Sequence, residues 1–140
     1  MFILHKCDGS IRPQSLDWMP AAAITPKIGM ALKFSSGNLT TCTSATDQPV
    51  YISMTQRSSA LTAGDLIPVL KINPDMVFEA PLQETGDANT IVGNTVGIYS
   101  DGLQCTKYNS SGKVVVVGMS GGSGTSAAAG DKLLVRFKTV

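Results

Sequence analysis

Few residues in this chain are of a type that performs chemistry, and their settings limit what they can do. A Ser-His-Asp or Cys-His relay needs a histidine held rigidly within hydrogen-bond reach of its partner. The single histidine is His5, beside Lys6 near the amino end, a setting that fits a surface residue. The carboxylates are Asp8, Asp17, Asp47, Asp65, Asp75, Glu79, Glu84, Asp87, Asp101 and Asp131. Most stand in turn contexts, where an Asp side chain bonds the local backbone. They form no DxDxDG calcium loop, and nothing marks two of them as a facing glycosidase pair. Cys7, Cys42 and Cys105 are odd in number and widely spaced. That is neither a disulfide framework nor a CxxC metal site, and it predicts reduced thiols acting as small hydrophobes in a cytoplasm. The run Gly118-Met119-Ser120-Gly121-Gly122-Ser123-Gly124-Thr125-Ser126 lacks the Lys after its last Gly and the helix that a phosphate loop requires. It reads as a hairpin loop. Asn38-Leu39-Thr40 and Asn109-Ser110-Ser111 match the glycosylation sequon, but no secretory signal accompanies them. These residues predict no enzyme, no cofactor and no bound metal.

Binding is the other chemistry open to the chain. Aromatic residues make up only 6%, so no stacking platform for sugars or single-stranded nucleic acid is evident. Trp18 is the exception. It lies in a stretch, residues 8–26, that has little periodicity and contains Pro13, Pro20 and Pro26, which discourage regular ladders. The reading is an extended N-terminal arm over residues 1–26, with Phe2 to Lys6 able to form a short strand. Ile11, Leu16, Trp18 and Met19 are costly to leave in water, at roughly 1.5–3 kcal/mol for each large side chain. An arm lying along a neighbouring subunit accounts for them, with Trp18 as anchor and Arg12 and Asp17 fixing register at the rim. Docking of Trp18 on its own domain is the competing reading.

The elements that must position such a surface are strands. From Lys27 onward, short alternating segments are bounded by turn residues. Strands are expected over residues 28–34, 39–43, 49–54, 66–72, 76–80, 95–99, 103–108, 113–119 and 132–138. Ser35-Ser36-Gly37-Asn38, Asn73-Pro74-Asp75 and Ser100-Asp101-Gly102 are the clearest turns. Val114-Val115-Val116-Val117 reads as a strand covered on both faces. Ser58-Ser59-Ala60-Leu61 suits a single helical turn at most. The expected core is Ile28, Met30, Leu32, Phe34, Val50, Ile52, Leu66, Val69, Val96, Ile98, Val115, Val117, Leu134, Val135 and Phe137. The fold class is therefore all-β: a small barrel or tulip-like domain over residues 27–140, preceded by the arm. One internal echo stands out. Ala63-Gly64-Asp65 and Ala129-Gly130-Asp131 each follow small residues and lead into a strand, which suits turns chosen for backbone reasons.

Bulk properties narrow the class of partner. The 140 residues suit one domain with a real core, and 43% are hydrophobic. Charged residues make up only 15%, against about 25% in typical domains. A surface so poor in charge suits contact with other chains. The net charge of +1 and the scattered Lys and Arg residues supply no electrostatic footprint for nucleic acid. No apolar run is long enough to span a membrane as a helix.

Ala23-Ile24-Thr25-Pro26-Lys27-Ile28-Gly29-Met30-Ala31-Leu32-Lys33-Phe34, Ser36-Gly37-Asn38-Leu39, Pro49-Val50-Tyr51-Ile52-Ser53-Met54 and Gly64-Asp65-Leu66-Ile67-Pro68-Val69 follow in an order that resembles the head decoration (capsid cement) proteins of tailed bacteriophages. Val96-Gly97-Ile98, Ser100-Asp101-Gly102-Leu103 and Gly130-Asp131-Lys132-Leu133-Leu134-Val135-Arg136-Phe137 look like that family's closing part. The resemblance covers roughly residues 20–140 and rests on order and turn chemistry, not on a catalytic signature. It implies a compact β-barrel or β-tulip, no cofactor and no catalysis. The implied partner is the major capsid protein, bound on the outer face of the virion head by a homotrimer or other homo-oligomer made in the host bacterial cytoplasm. One rigid subunit touching several capsid chains gains from effective concentration. A head-tail joining or tail tube ring is the main alternative, and a glycan- or receptor-binding module a weaker one.

Overall fold

The computed structural model describes residues 1–8, 15–87, 89–120 and 128–138. Among them the regular structure is all strand: β1 (Ile3–Cys7), β2 (Asp17–Pro20), β3 (Ala31–Ser35), β4 (Asn38–Thr41), β5 (Tyr51–Ser53), β6 (Leu66–Lys71), β7 (Met76–Pro81), β8 (Thr95–Ile98), β9 (Cys105–Tyr108), β10 (Val114–Met119) and β11 (Lys132–Phe137). They form two antiparallel sheets, ordered β1-β7-β11-β10-β8-β9 and β2-β6-β5-β3-β4. The turn residues act as their chemistry requires. Ser36 and Gly37 take φ of 50° and 83° between β3 and β4, the left-handed pair that a tight hairpin demands. Asp101 accepts the Leu103 N–H at 2.9 Å between β8 and β9. The Asn73-Pro74-Asp75 turn holds too, with Asn73 capping the Asp75 N–H at 2.9 Å, but it leads from one sheet into the other.

Apart from β1, the two sheets have the same topology. Replacing β2, β3, β4, β5 and β6 by β7, β8, β9, β10 and β11 in the order β2-β6-β5-β3-β4 gives β7-β11-β10-β8-β9. The connecting hydrogen bonds repeat as well. The Ala21 N–H donates to Asp65 O at 2.9 Å and Ala21 O accepts from Gly64 N–H at 2.8 Å; Leu82 does the same with Asp131 and Gly130, at 2.9 and 2.8 Å. The Gly29 N–H donates to Ser53 O at 2.8 Å and the Gly93 N–H to Val116 O at 2.7 Å. Ile72 N–H to Val50 O and Lys138 N–H to Lys113 O complete the correspondence, at 3.0 and 2.8 Å. The two Ala-Gly-Asp stretches are thus equivalent turns. In each, the Asp carboxylate accepts a backbone N–H three residues back, from Thr62 or Ala128, at 3.0 Å. In each, the Gly takes positive φ, 96° and 89°. Each unit also brings its outermost strands together at one parallel bridge, Ala21 with Leu39 and Leu82 with Cys105. A single bridge is not a continuous ladder, so neither sheet is a closed barrel.

The first unit turns Leu32, Leu39, Ile67 and Val69 into a cluster of its own. It turns Ala31, Ile52 and Leu70 toward a larger cluster shared with Phe78, Val96, Val116, Leu133, Val135 and Phe137 of the second. β1 staples the two: it pairs with β7, and the Phe2 N–H donates to Gly29 O at 2.9 Å. The Phe2 ring packs at 5.1 Å from Phe137, which meets Phe78 at 5.2 Å. Gly29 cannot be replaced cheaply there, since its φ is +81° and an added Cβ would stand 2.5 Å from the Met1 Cβ.

Several sequence expectations change. The short strand expected near Phe2 to Lys6 is present as Ile3–Cys7 on β7, but the rest of the arm is not free of ladders: Asp17–Pro20 is a strand bonded to β6. Met30, Leu32, Ile52, Val69, Val96, Ile98, Val135 and Phe137 are buried as expected, while Ile28, Phe34, Leu66 and Val117 are exposed and Val50, Val115 and Leu134 only half-buried. Val114 and Val116 fill the core instead, because they stand opposite the buried Phe137 and Val135 of β11; the register shifts only beyond them, between Val116 and Gly118. β10 is therefore covered on one face, not two. Ser58 and Ser59 form a bend and residues 58–61 make no helical turn; the Leu61 N–H ties back to Ile24 O at 2.8 Å.

Candidate interaction surface

Strand β2 runs antiparallel to β6, with Asp17, Trp18, Met19 and Pro20 opposite Val69, Pro68, Ile67 and Leu66. Side chains alternate across a strand, so the expected interface residues divide. Met19 turns inward and packs on the first unit's cluster beside Ile67 and Val69. Asp17 shares that parity but lies exposed at the rim. Burial chiefly, and the Asp17 carboxylate after it, push the nearby Tyr51 phenol above its ordinary value. Trp18 points outward and is 63% exposed; Leu16, two residues before it, is also exposed. Ile11 and Arg12 lie outside the described residues, as does most of the glycine-rich run.

Trp18 does not stand alone. On β6, Leu66, Pro68 and Leu70 alternate onto its face, and Leu66 is 58% exposed. On the far side of β6, the Met54 N–H donates to Pro68 O at 3.0 Å, which places Met54 in the same row, with Ile52 two residues away facing alike. Leu16, Trp18, Leu66, Met54 and Ile28 are thus exposed apolar side chains on and beside one sheet face. Toward β1 this face falls into a cleft of about 340 Å³, lined by Met1, Ile3, Ile28, Met54, Leu70 and Phe78 among others, with no charged side chain in its wall. Leu66, Ile28 and Met54 were not expected here. The signal in the sequence was the unbroken apolar run Leu66-Ile67-Pro68-Val69-Leu70, which leaves both faces of β6 apolar.

The remaining reactive residues are not gathered at this face. His5 is exposed on β1. Burial pushes the Cys42 thiol up to about 12, with Asp47 adding to it, and burial likewise pushes Cys105 to about 12. Such thiols are poor nucleophiles and poor metal ligands. What the arrangement offers is apolar contact area and, among the described residues, a β2 edge that no strand covers before the Ala21 bridge. Compared with protein-family models and with curated proteins, the chain matches none.

Proposed function

We propose that the protein is a structural virion subunit: a bacteriophage decoration protein that binds the outer surface of the head and clamps neighbouring major capsid subunits. On this reading residues 27–140 are a β-tulip-like domain, and the single parallel bridge that brings together the outer strands of each five-stranded unit supports it. The protein acts as a homotrimer or other homo-oligomer on the shell, without catalysis or cofactor, and touches neither nucleic acid nor membrane. The observation that carries the reading is the exposed apolar face of Leu16, Trp18, Met54 and Leu66 on a chain with only 15% charged residues. Apolar surface gathered on one face of a soluble domain marks a contact site, and Trp is the side chain most enriched among binding hot spots. The order of segments, which resembles that of capsid cement proteins, is the ground for taking the shell as the partner.

Co-sedimentation with undecorated heads, followed by imaging of the pelleted particles, tests this. Ordered density on the outer shell at repeating symmetry positions is expected. A protein that stays in the supernatant at micromolar concentration, or that assembles into free rings, overturns the reading.

A further inference from the structure

We propose that the outer edge of β2 accepts one extended strand of the shell subunit, antiparallel to β2 and with an apolar side chain beside Trp18; the identity of the partner rests on the functional reading above. The internal repeat carries the inference. Ala21 corresponds to Leu82, so Pro20 corresponds to Pro81 and Trp18 to Glu79. In the second unit the outer edge of β7 is occupied: β1 lies on it antiparallel, with Ile3 opposite Glu79 and Leu4 opposite Phe78. In the first unit β2 ends the sheet, and among the described residues no strand pairs with its outer edge before the Ala21 bridge. The same scaffold thus holds the same edge twice, once filled from within the chain and once with no strand on it among the described residues.

Backbone polarity agrees. The Ala21 N–H and C=O both engage the Gly64-Asp65 turn on the β6 side, while the Ala22 N–H points the other way, to Leu39. Alternation along an antiparallel ladder then directs Met19 and Asp17 toward β6, and the Trp18 and Leu16 backbone groups away from it. Pro20 stands at an outward position, where its missing N–H costs β6 nothing. The strand already held by β7, Ile3-Leu4-His5-Lys6-Cys7, shows the chemistry that such an edge takes: extended, with Ile3 and Leu4 apolar and Ile3 at the position next to Glu79. Strand addition of this kind draws affinity from main-chain hydrogen bonds and specificity from alternate side chains. Leu16, Trp18 and Leu66 supply the apolar neighbours.

The test uses the full-length chain with undecorated heads. Amide hydrogen exchange at Leu16 and Trp18, whose N–H groups point away from β6, is expected to be fast in free protein and to slow at least about tenfold on heads, as a new ladder forms. In co-sedimentation, Trp18→Pro is expected to bind about tenfold more weakly than Trp18→Ala. Both remove the indole, but only proline removes the outward N–H, and one backbone hydrogen bond is worth about that factor. Melting curves of the two variants check that the β2–β6 ladder survives; if Trp18→Pro does not fold, exchange on the wild-type chain decides. Wild-type protein that does not sediment with heads sinks both the functional reading and this proposal. Wild-type protein that sediments while Leu16 and Trp18 exchange as fast as in free protein, or while the two variants bind alike, overturns the strand edge alone. Slow exchange at Leu16 and Trp18 in the free protein means that the chain already covers the edge itself, which also overturns it.

Discussion

Val116 and Val117 are adjacent in an unbroken valine run, and the structure assigns them opposite roles. Val116 is fully buried opposite Val135, whereas Val117 sits at the bulge, 36% exposed. Truncating Val116 to Ala removes two methyl groups, worth about 1.6 kcal/mol in transfer alone at ~0.8 kcal/mol per group. A cavity term adds to this, since a core fixed by two strands relaxes only in part, for a total of about 2–3 kcal/mol. For a domain of this size that lowers Tm by about 7–10 °C. Val117→Ala removes the same atoms from a site that water already reaches and should cost under ~1 kcal/mol. The contrast sharpens with a charge. Val116→Asp places an unpaired carboxylate among apolar side chains and should leave the chain largely unfolded at neutral pH, while Val117→Asp should fold. Urea unfolding with a shared m-value is the assay. Equal costs for the two Ala variants, or a larger cost at Val117, would refute the register of β10 on β11.

The two Ala-Gly-Asp turns should respond alike. Gly64→Ala and Gly130→Ala meet no steric obstacle but force positive φ on a residue with a Cβ, so each should lose about 1 kcal/mol or slightly more. The double variant should show the sum, read from urea midpoints; a large effect at one turn alone would show that the two units are not equivalent. Cys42 and Cys105, both buried with thiols pushed up to about 12, should resist alkylation at pH 7.5 in the folded protein and react fully in denaturant. Rapid labelling of either in the native chain, measured by intact mass, would contradict the packing.

Local chemistry wrote much of this fold into the sequence. Alternation at Met30, Leu32 and Ile52 and the turn residues at 35–38 and 100–102 are short-range signals, and the strands they predict are present. The apolar candidates of residues 16–19 were legible as costly to expose, but their division was not. Leu16 and Trp18 face out and Met19 faces in because β2 pairs with β6, far along the chain, and only that ladder sets which parity meets the core. The strand itself escaped notice because it is short, ends in Pro20 and lies at an edge, where hydrogen bonds to one neighbour suffice. Four consecutive valines and the run Leu66 to Leu70 carry no alternation, so their inner and outer faces could not be told apart before the partner strands were in place. The Ala-Gly-Asp echo shows the same limit. Its turn geometry follows from the residues, because Gly takes positive φ and Asp bonds backward along the chain. That the two turns anchor matching five-stranded units is decided by backbone hydrogen bonds to Ala21 and Leu82. Those bonds join groups that every residue carries, so no side-chain pattern encodes them.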